Sequence, residues 1–427
     1  MSPIVKIVLV FFAVIFSLKL KSPLGLSLFA GSLALGLWLG MPLGALGRST
    51  WAGVFDLPNL MLLLIVLLIV LFSAVLQETK QLSKLVAAVR EVVHNPRLAI
   101  PMMTAIIGLL PMPGGARFSA PLVDEAAQGL RISKLESATI NFWFRHIWEY
   151  WWPFYPSVIL MSAITGFSIA KIFVIFLPAS AVMVLAGYLC YLRRIPRRAR
   201  VDENPRSHGS VLRLLSISRA ILAVIIINFA LVGLRAAFES AGIHLDKLPA
   251  RLPLVIALLV GITIALRGSG LKAQTIAKMV LNRRVLMTLL TVASILIFSQ
   301  VLKDAGAIAQ ITESLRGQQV PVLLLAFAVP FLVSFVTGLV VAYVGIGLPI
   351  LYPVFVSSLP QSELVAYVFI FSIAGYVAVM LTPVHLCLIL SNEYFNVAYL
   401  QVARRLILPC ILSMTAYFGI FLLYRML

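Results

Sequence analysis

Pro111-Met112-Pro113-Gly114-Gly115-Ala116-Arg117-Phe118-Ser119-Ala120-Pro121 follows an apolar run, Leu98 to Leu110. That run is too short to cross a bilayer, which needs about 20 apolar residues. Three prolines and two adjacent glycines forbid a continuous helix across the quoted stretch. Non-helical backbone survives in hydrocarbon only when it is buried in protein or lines a watery cavity. The following run, Phe118 to Leu130, is also too short and too polar to span. The stretch therefore reads as the tip of a re-entrant hairpin, about 96–128, that forms part of a binding site. The alternative is a short surface loop between two ordinary spans.

The rest of the chain fits a membrane setting. Of its 427 residues, 61% are hydrophobic and only 11% charged, which marks a polytopic membrane protein. The formal charge of +19 would suggest nucleic acid in a soluble protein. Here the basic residues gather in a few short loops, so membrane topology explains them and no nucleic-acid partner is expected. Cys190, Cys387 and Cys410 lie far apart in apolar runs, without metal-ligand spacing or a disulfide framework. They read as small packing residues. The stretch Ile4 to Leu18 lacks a small-residue cleavage site and carries its charge afterwards, so it reads as a first span rather than a signal peptide.

Apolar length places further spans at about 24–46, 57–77, 138–162, 169–192, 212–236, 251–266, 285–302, 363–395 and 406–424. The span 138–162 is interrupted at Trp152-Pro153-Phe154-Tyr155-Pro156, and 363–395 at Thr382-Pro383. Gln77 to Asn95 has one apolar face and suits a helix lying in the interface. Val320 to Val356 is long enough for a second hairpin, with glycines and Pro349 past its middle.

The second half repeats the first. Phe72-Ser73-Ala74-Val75-Leu76 matches Phe298-Ser299-Gln300-Val301-Leu302, and Phe167-Ser168-Ile169-Ala170 resembles Phe395-Asn396-Val397-Ala398 at nearly the same offset. Between the matches each half runs polar linker, broken apolar pair, and long span broken by proline. The linker 193–209, with Arg193, Arg194, Arg197, Arg198 and Arg200, marks the cytoplasm. Counting outward, the other basic loops at 19–23, 78–97, 267–284 and 401–405 also fall inside. The two halves then have opposite orientation, with both termini outside. Inverted repeats with broken helices are the sequence mark of secondary transporters, whose site lies at the bilayer midplane.

The expected fold is all-α and polytopic, with about 10–11 crossing helices and two re-entrant hairpins in two inverted-topology repeats. Residues 1–53 form N-terminal spans of a scaffold. Residues 54–192 are the first repeat. Residues 193–284 hold a basic linker, two connecting spans and a second basic loop. Residues 285–427 are the second repeat, with its hairpin at about 320–356.

Leu110-Pro111-Met112-Pro113-Gly114-Gly115-Ala116 and Leu381-Thr382-Pro383-Val384-His385-Leu386-Cys387-Leu388 resemble a prokaryotic integral membrane family of unknown function, domain of unknown function 401, within the ion transporter superfamily. The resemblance covers most of the chain. It implies a scaffold and a moving transport domain, an elevator-like cycle, and a homodimer as is common among relatives. The dicarboxylate symporters of that superfamily carry Ser-Asn-Thr at both hairpin tips; this chain does not.

Several side chains could carry chemistry. Gly114 and Gly115 expose backbone N–H groups near a helix start, a setting that favours anions. Arg117 would add bidentate carboxylate or phosphate recognition, and Ser119 a hydrogen bond. The competing reading pairs Arg117 with Asp124 or Glu125. In the second half Thr337, Gly345 and Gly347 would line the site, with Thr337 and freed carbonyls holding a sodium ion; otherwise the glycines only permit close packing. Asn141, Arg145 and Glu149 recur every four residues, with His146 three before Glu149. Ionisable residues at membrane depth are functional candidates. Arg145, Tyr155 and Ser157 would face substrate, and His146 or Glu149 would couple protons. The competing reading is an aromatic belt of Trp143, Trp148, Trp151 and Trp152 around an ordinary ion pair. Thr382 and His385 mark the second break, where His385 reads equally as a satisfied core histidine.

The functional expectation is a secondary active transporter of a small organic or phosphorylated anion, coupled to protons or sodium. It would be a multi-pass protein of the cytoplasmic (inner) membrane, in contact with lipid and with a small anionic substrate. No cofactor is expected beyond sodium as coupling ion. The alternatives are a cation/proton antiporter, a lipid-phosphate carrier, and an intramembrane metalloenzyme in which His146 and Glu149 begin a metal site completed by His385. HExxH and Gly-x-Ser-x-Gly motifs do not occur, so the expectation is not an enzyme.

Overall fold

A computed structural model describes residues 3–20, 22–93, 95–111, 114–196, 210–243, 248–307, 310 and 321–427. Among them all regular structure is helical, without strands. Met112 and Pro113 of the hairpin tip, Arg197, Arg198 and Arg200 of the basic linker, and Val320 lie outside the described residues.

The first half runs α1 (Pro3–Lys19), α2 (Leu24–Trp38), α3 (Leu43–Phe55), α4 (Leu57–Glu78), α5 (Gln81–Val92), α6 (Pro96–Gly108), α7 (Ala116–Ala126), α8 (Lys134–Arg145), α9 (Pro156–Thr165) and α10 (Ile169–Leu192). Then come α11 (Ser210–Ser240), α12 (Leu252–Leu266), α13 (Ala273–Val280) and α14 (Arg283–Asp304). The last part is α15 (Val322–Thr337), α16 (Val340–Ser358), α17 (Leu364–Leu381), α18 (Leu386–Phe395) and α19 (Tyr399–Met426). Seven of the described helical stretches are long and apolar enough to cross a membrane. Of the expected spans, 24–46 and 138–162 divide into shorter helices, and 363–395, which lies in one of the seven, is broken at Thr382.

Local sequence sets those divisions. Asn95 caps α6 by accepting from Arg97 N at 3.0 Å, with Pro96 at the first helical position, where its missing N–H costs nothing. Ser133 and Glu136 form a reciprocal capping box that starts α8. The span expected at 24–46 is two helices, because Gly40 takes a left-handed φ of 89° and Pro42 follows. The first broken span unwinds at His146, earlier than Trp152, and rewinds only at Pro156. The turn of the second helical pair lies at Gly338, with φ 67°, well before Pro349. Pro349 sits inside α16, directly after a π-helical stretch, Tyr343–Gly347. Such a wider turn takes up a missing backbone donor without ending the helix.

Small residues let helices close on one another. Gly25 faces Leu290 and Thr291, Gly36 faces Val301, and Gly53 lies on Ile297, so α2 and α3 both pack along α14. Ser49 Oγ donates to Asp304 at 2.6 Å there. α4 runs beside α12, with Arg251 donating to Pro58 O at 2.9 Å near one end and Gln81 to Ala265 O at 2.8 Å near the other. The face of α5 with Leu82, Leu85, Val86 and Val89 is buried, as its periodicity predicts. α11 is exposed over most of its surface, whereas α17 is buried on nearly all sides. An apolar helix with little buried surface is suited to lipid contact.

Candidate functional site

The site is built from four chain breaks. Helix α6 ends at Gly108, α8 at Arg145, α15 at Thr337 and α17 at Leu381. Each end leaves carbonyls with no partner in their own helix, and in a membrane each must find a donor elsewhere. Ala105 O accepts from Trp148 Nε1 at 2.7 Å, Leu109 O from Trp152 Nε1 at 2.8 Å, and Gly108 O from the Tyr155 hydroxyl at 2.5 Å. The unwound segment after Arg145 thus caps the helix before the hairpin tip. Trp151 and Trp143 do comparable work toward α10, donating to Ser180 Oγ at 2.8 Å and Met183 O at 2.9 Å. These tryptophans are internal donors, not an interfacial belt. Gly108 lies so close to Arg145 that a Cβ would overlap the Arg145 carbonyl.

The tip then returns over the same segment. Gly114 has φ 73° and sits under Leu390 of α18. Gly115 lies on the Arg145 guanidinium, in the space a Cβ would need. Asn141 ties three helices together. Its Nδ2 donates to Ala116 O and Ser391 Oγ, both at 3.0 Å, and its Oδ1 accepts from Ser119 at 2.5 Å.

The second half closes similarly. Gly338 packs against Val384 and the His385 backbone. Thr382 Oγ1 donates to Phe335 O at 2.5 Å, tying the two breaks together. Tyr399 donates to Leu381 O at 2.7 Å.

The two halves meet through histidines. His146 Nδ1 is 2.6 Å from Phe142 O, and His385 Nδ1 is 2.7 Å from Gly338 O. A carbonyl only accepts, so both Nδ1 atoms carry protons. The two Nε2 atoms then face each other at 3.0 Å. Glu149 Oε1 lies 3.9 Å from His146 Nε2 and 3.7 Å from Arg145. Cys387 Sγ completes the group: it and the two imidazole nitrogens all lie within 4.8 Å of one another. The Tyr376 hydroxyl donates to His146 O from α17. Arg145, His146, Glu149, Tyr155, Tyr376, His385 and Cys387 are all buried.

The structure therefore brings together Gly114, Gly115, Ser119, Arg145, His146, Glu149, Tyr155 and His385 from the sequence-derived set. Thr382 joins them as a clasp between breaks. Others stand elsewhere. Arg117 is exposed on the first turn of α7 and does not reach the buried cluster, because Gly115 packs on Arg145 and the face with Ala116 and Ser119 is bonded to Asn141. Asp124, weighed as its partner, pairs with Lys134 at 2.5 Å. Thr337 returns its hydroxyl to Val333 O at 2.7 Å. Gly345 and Gly347 lie within α16 and pack on Ile295 and Phe371, since the turn falls at Gly338. Ser157 is buried in the first turn of α9. Asn392, Glu393 and Asn396, farther along α18, line a separate cavity of about 330 Å³. Sequence reading passed over Cys387; the signal was its place two residues after His385, directly beyond a proline break.

A fold of this kind has a solved counterpart. The crystal structure of the YdaH transporter of Alcanivorax borkumensis, described as having an unusual topology, superposes with a TM-score of 0.59 at 14% identity, over 92% of this chain and 97% of that one. At that identity the likeness is one of fold. No curated protein matches the sequence. The family described as protein of unknown function (DUF401) matches residues 4–425; with all but the ends of its length inside that match, the chain belongs to this family.

Proposed function

We propose that the protein is a secondary active transporter of a small organic or phosphorylated anion, driven by a proton or sodium gradient. One observation carries the reading: four helix breaks meet at a single buried cluster that includes an arginine. Irregular backbone at membrane depth is expensive and is kept where something is bound or moved. Arg145 stands beside the bare backbone of Gly115 at the start of α7, where helix N–H groups and a guanidinium together suit an anion. The solved neighbour is described as a transporter, and we carry that much over.

In this reading residues 54–192 and 285–427 are repeats of opposite orientation, and α6/α7 and α15/α16 are hairpins entering from opposite sides. The basic loops lie in the cytoplasm, both termini lie outside, and the host is the cytoplasmic membrane. Helices α1–α4, α11, α12 and α14 form a scaffold, and the broken helices travel against it. Exposed α11 is the natural place for a second copy to dock in a dimer.

The test is ligand-induced thermal stabilisation of the detergent-purified protein. Carboxylates, sugar acids and phosphate esters are screened with and without sodium. A ligand that binds only the folded state adds about 2.7 kcal/mol at a hundred times its Kd. The expected result is stabilisation by one anion class, weakened in Arg145→Lys, because an ammonium does not replace a bidentate fork. Stabilisation by no anion, or the same stabilisation in Arg145→Lys, overturns the proposal.

A further inference from the structure

His146, His385 and Cys387 form an arrangement that anion recognition does not use. Both Nδ1 atoms donate to backbone carbonyls, at 2.6 and 2.7 Å. In a neutral ring that leaves the lone pair on Nε2. The two Nε2 atoms lie 3.0 Å apart in a buried site, with a thiol beside them. Two neutral rings so placed repel, and the spacing calls for a proton on one ring or a metal ion held by both. Carbonyl partners on the outer imidazole nitrogen are also the usual support for metal-binding histidines, fixing ring orientation and raising ligand basicity.

We infer that His146 Nε2, His385 Nε2 and Cys387 Sγ bind one transition-metal ion of the zinc class. The donor set, two imidazoles and one thiolate, suits a borderline-soft cation and excludes magnesium and calcium, which prefer oxygen. The dimensions are close. Zinc–nitrogen bonds of about 2.0–2.1 Å in a tetrahedral site put two nitrogens about 3.3 Å apart. The pair needs to open by only about 0.3 Å from its present spacing, and the Cys387 sulfur already lies within 4.8 Å of both histidines' ligand atoms. Most of the charge is offset within the group. The Cys387 thiolate and the Glu149 carboxylate, 3.9 Å from His146 Nε2, offset two of the three positive charges of the ion and Arg145, which lies 3.7 Å from the same carboxylate, and the one left over suits an anion in the open position. Three protein ligands leave a fourth position for Glu149 or for an incoming ligand.

The ligands come from both halves of the chain, His146 from the first break and His385 and Cys387 from the second. A bound ion therefore clamps the two broken spans together. This reading is independent of what the protein transports, and it is tested without a transport assay.

The experiment uses full-length protein purified with a histidine-free tag, stripped with chelator and titrated with Co2+. Cys190→Ser/Cys410→Ser is the background, so that Cys387 is its only thiol. One equivalent of Co2+ is expected to give tetrahedral ligand-field bands and a sulfur-to-cobalt charge-transfer band. Zn2+ displaces both, and Zn2+ alone raises the melting temperature. Cys387→Ser removes the charge-transfer band and the zinc-dependent rise. Absence of any cobalt band in the thiol-bearing protein, which needs no further variant to read, overturns the inference and leaves a proton shared between the imidazoles. Bands that persist unchanged in Cys387→Ser overturn it equally.

Discussion

Tyr155→Phe isolates the bond that holds the first break. The Tyr155 hydroxyl donates to Gly108 O at 2.5 Å, with both groups buried. Gly108 is the last residue of α6, so its carbonyl has no donor within the helix. The substitution removes one oxygen and keeps the ring, so packing barely changes and the lost term is the hydrogen bond. Interhelical hydrogen bonds inside membrane proteins are worth about 0.6 kcal/mol on average and up to about 1.7. The upper end applies here, because the abandoned carbonyl is buried and an unsatisfied buried group costs about 1–3 kcal/mol. A loss of about 1.4 kcal/mol is a tenfold shift in the folding equilibrium. The assay is equilibrium unfolding in mixed micelles, read by tryptophan fluorescence, together with hydrogen exchange across residues 105–116. The expected result is a loss of about 1–2 kcal/mol with faster exchange confined to that segment. An unchanged midpoint and unchanged exchange would refute the view that the aromatic donors hold the break.

Other substitutions probe the same architecture. Gly108→Ala places a methyl in the Arg145 carbonyl and is expected to cost at least the 1–3 kcal/mol typical of overpacking, read as a fall in melting temperature. Gly338→Ala adds the strain of a left-handed backbone, about 1–2 kcal/mol, to contacts of 3.0 Å with Val384 and His385; retention of wild-type stability would count against the tight second break. Arg117→Ala, at an exposed position, is expected to change stability by less than about 0.5 kcal/mol and to leave ligand-induced stabilisation in place. Ser119→Ala strands the Asn141 amide oxygen in a buried site and is expected to cost about 1–3 kcal/mol by the same unfolding assay.

Much of this arrangement is legible in the residues. The Pro-Gly-Gly tip, the Thr382-Pro383 break and the amphipathic Gln81–Val92 helix follow from local rules about proline, glycine and periodicity. Arg145, His146 and Glu149 are near neighbours in the chain, and successive turns just past the end of α8 hold them together where the four-residue spacing had implied a continuing helix. What the sequence conceals depends on long-range contact. Arg117 and Arg145 are equally plausible anion ligands on paper. Only the packing of Gly115 on Arg145 distinguishes them, leaving Arg145 buried and Arg117 exposed. Gly338, Gly345 and Gly347 all permit a turn, and only Gly338 meets the opposing break at Val384 and His385. Cys387 looks like a small apolar residue until His146, from the other half of the chain, is brought into one group with it and His385. The tryptophans look like an interfacial belt until the carbonyls of α6 are seen to need donors.

The most direct test of transport uses proteoliposomes on a solid-supported membrane, with rapid jumps in anion concentration under imposed sodium or pH gradients. The account predicts saturable transient currents for one class of anion, dependent on one of the two gradients and diminished in Arg145→Lys. Currents that respond to sodium or pH alone, with no anion altering them, would contradict it and favour exchange of a cation for protons.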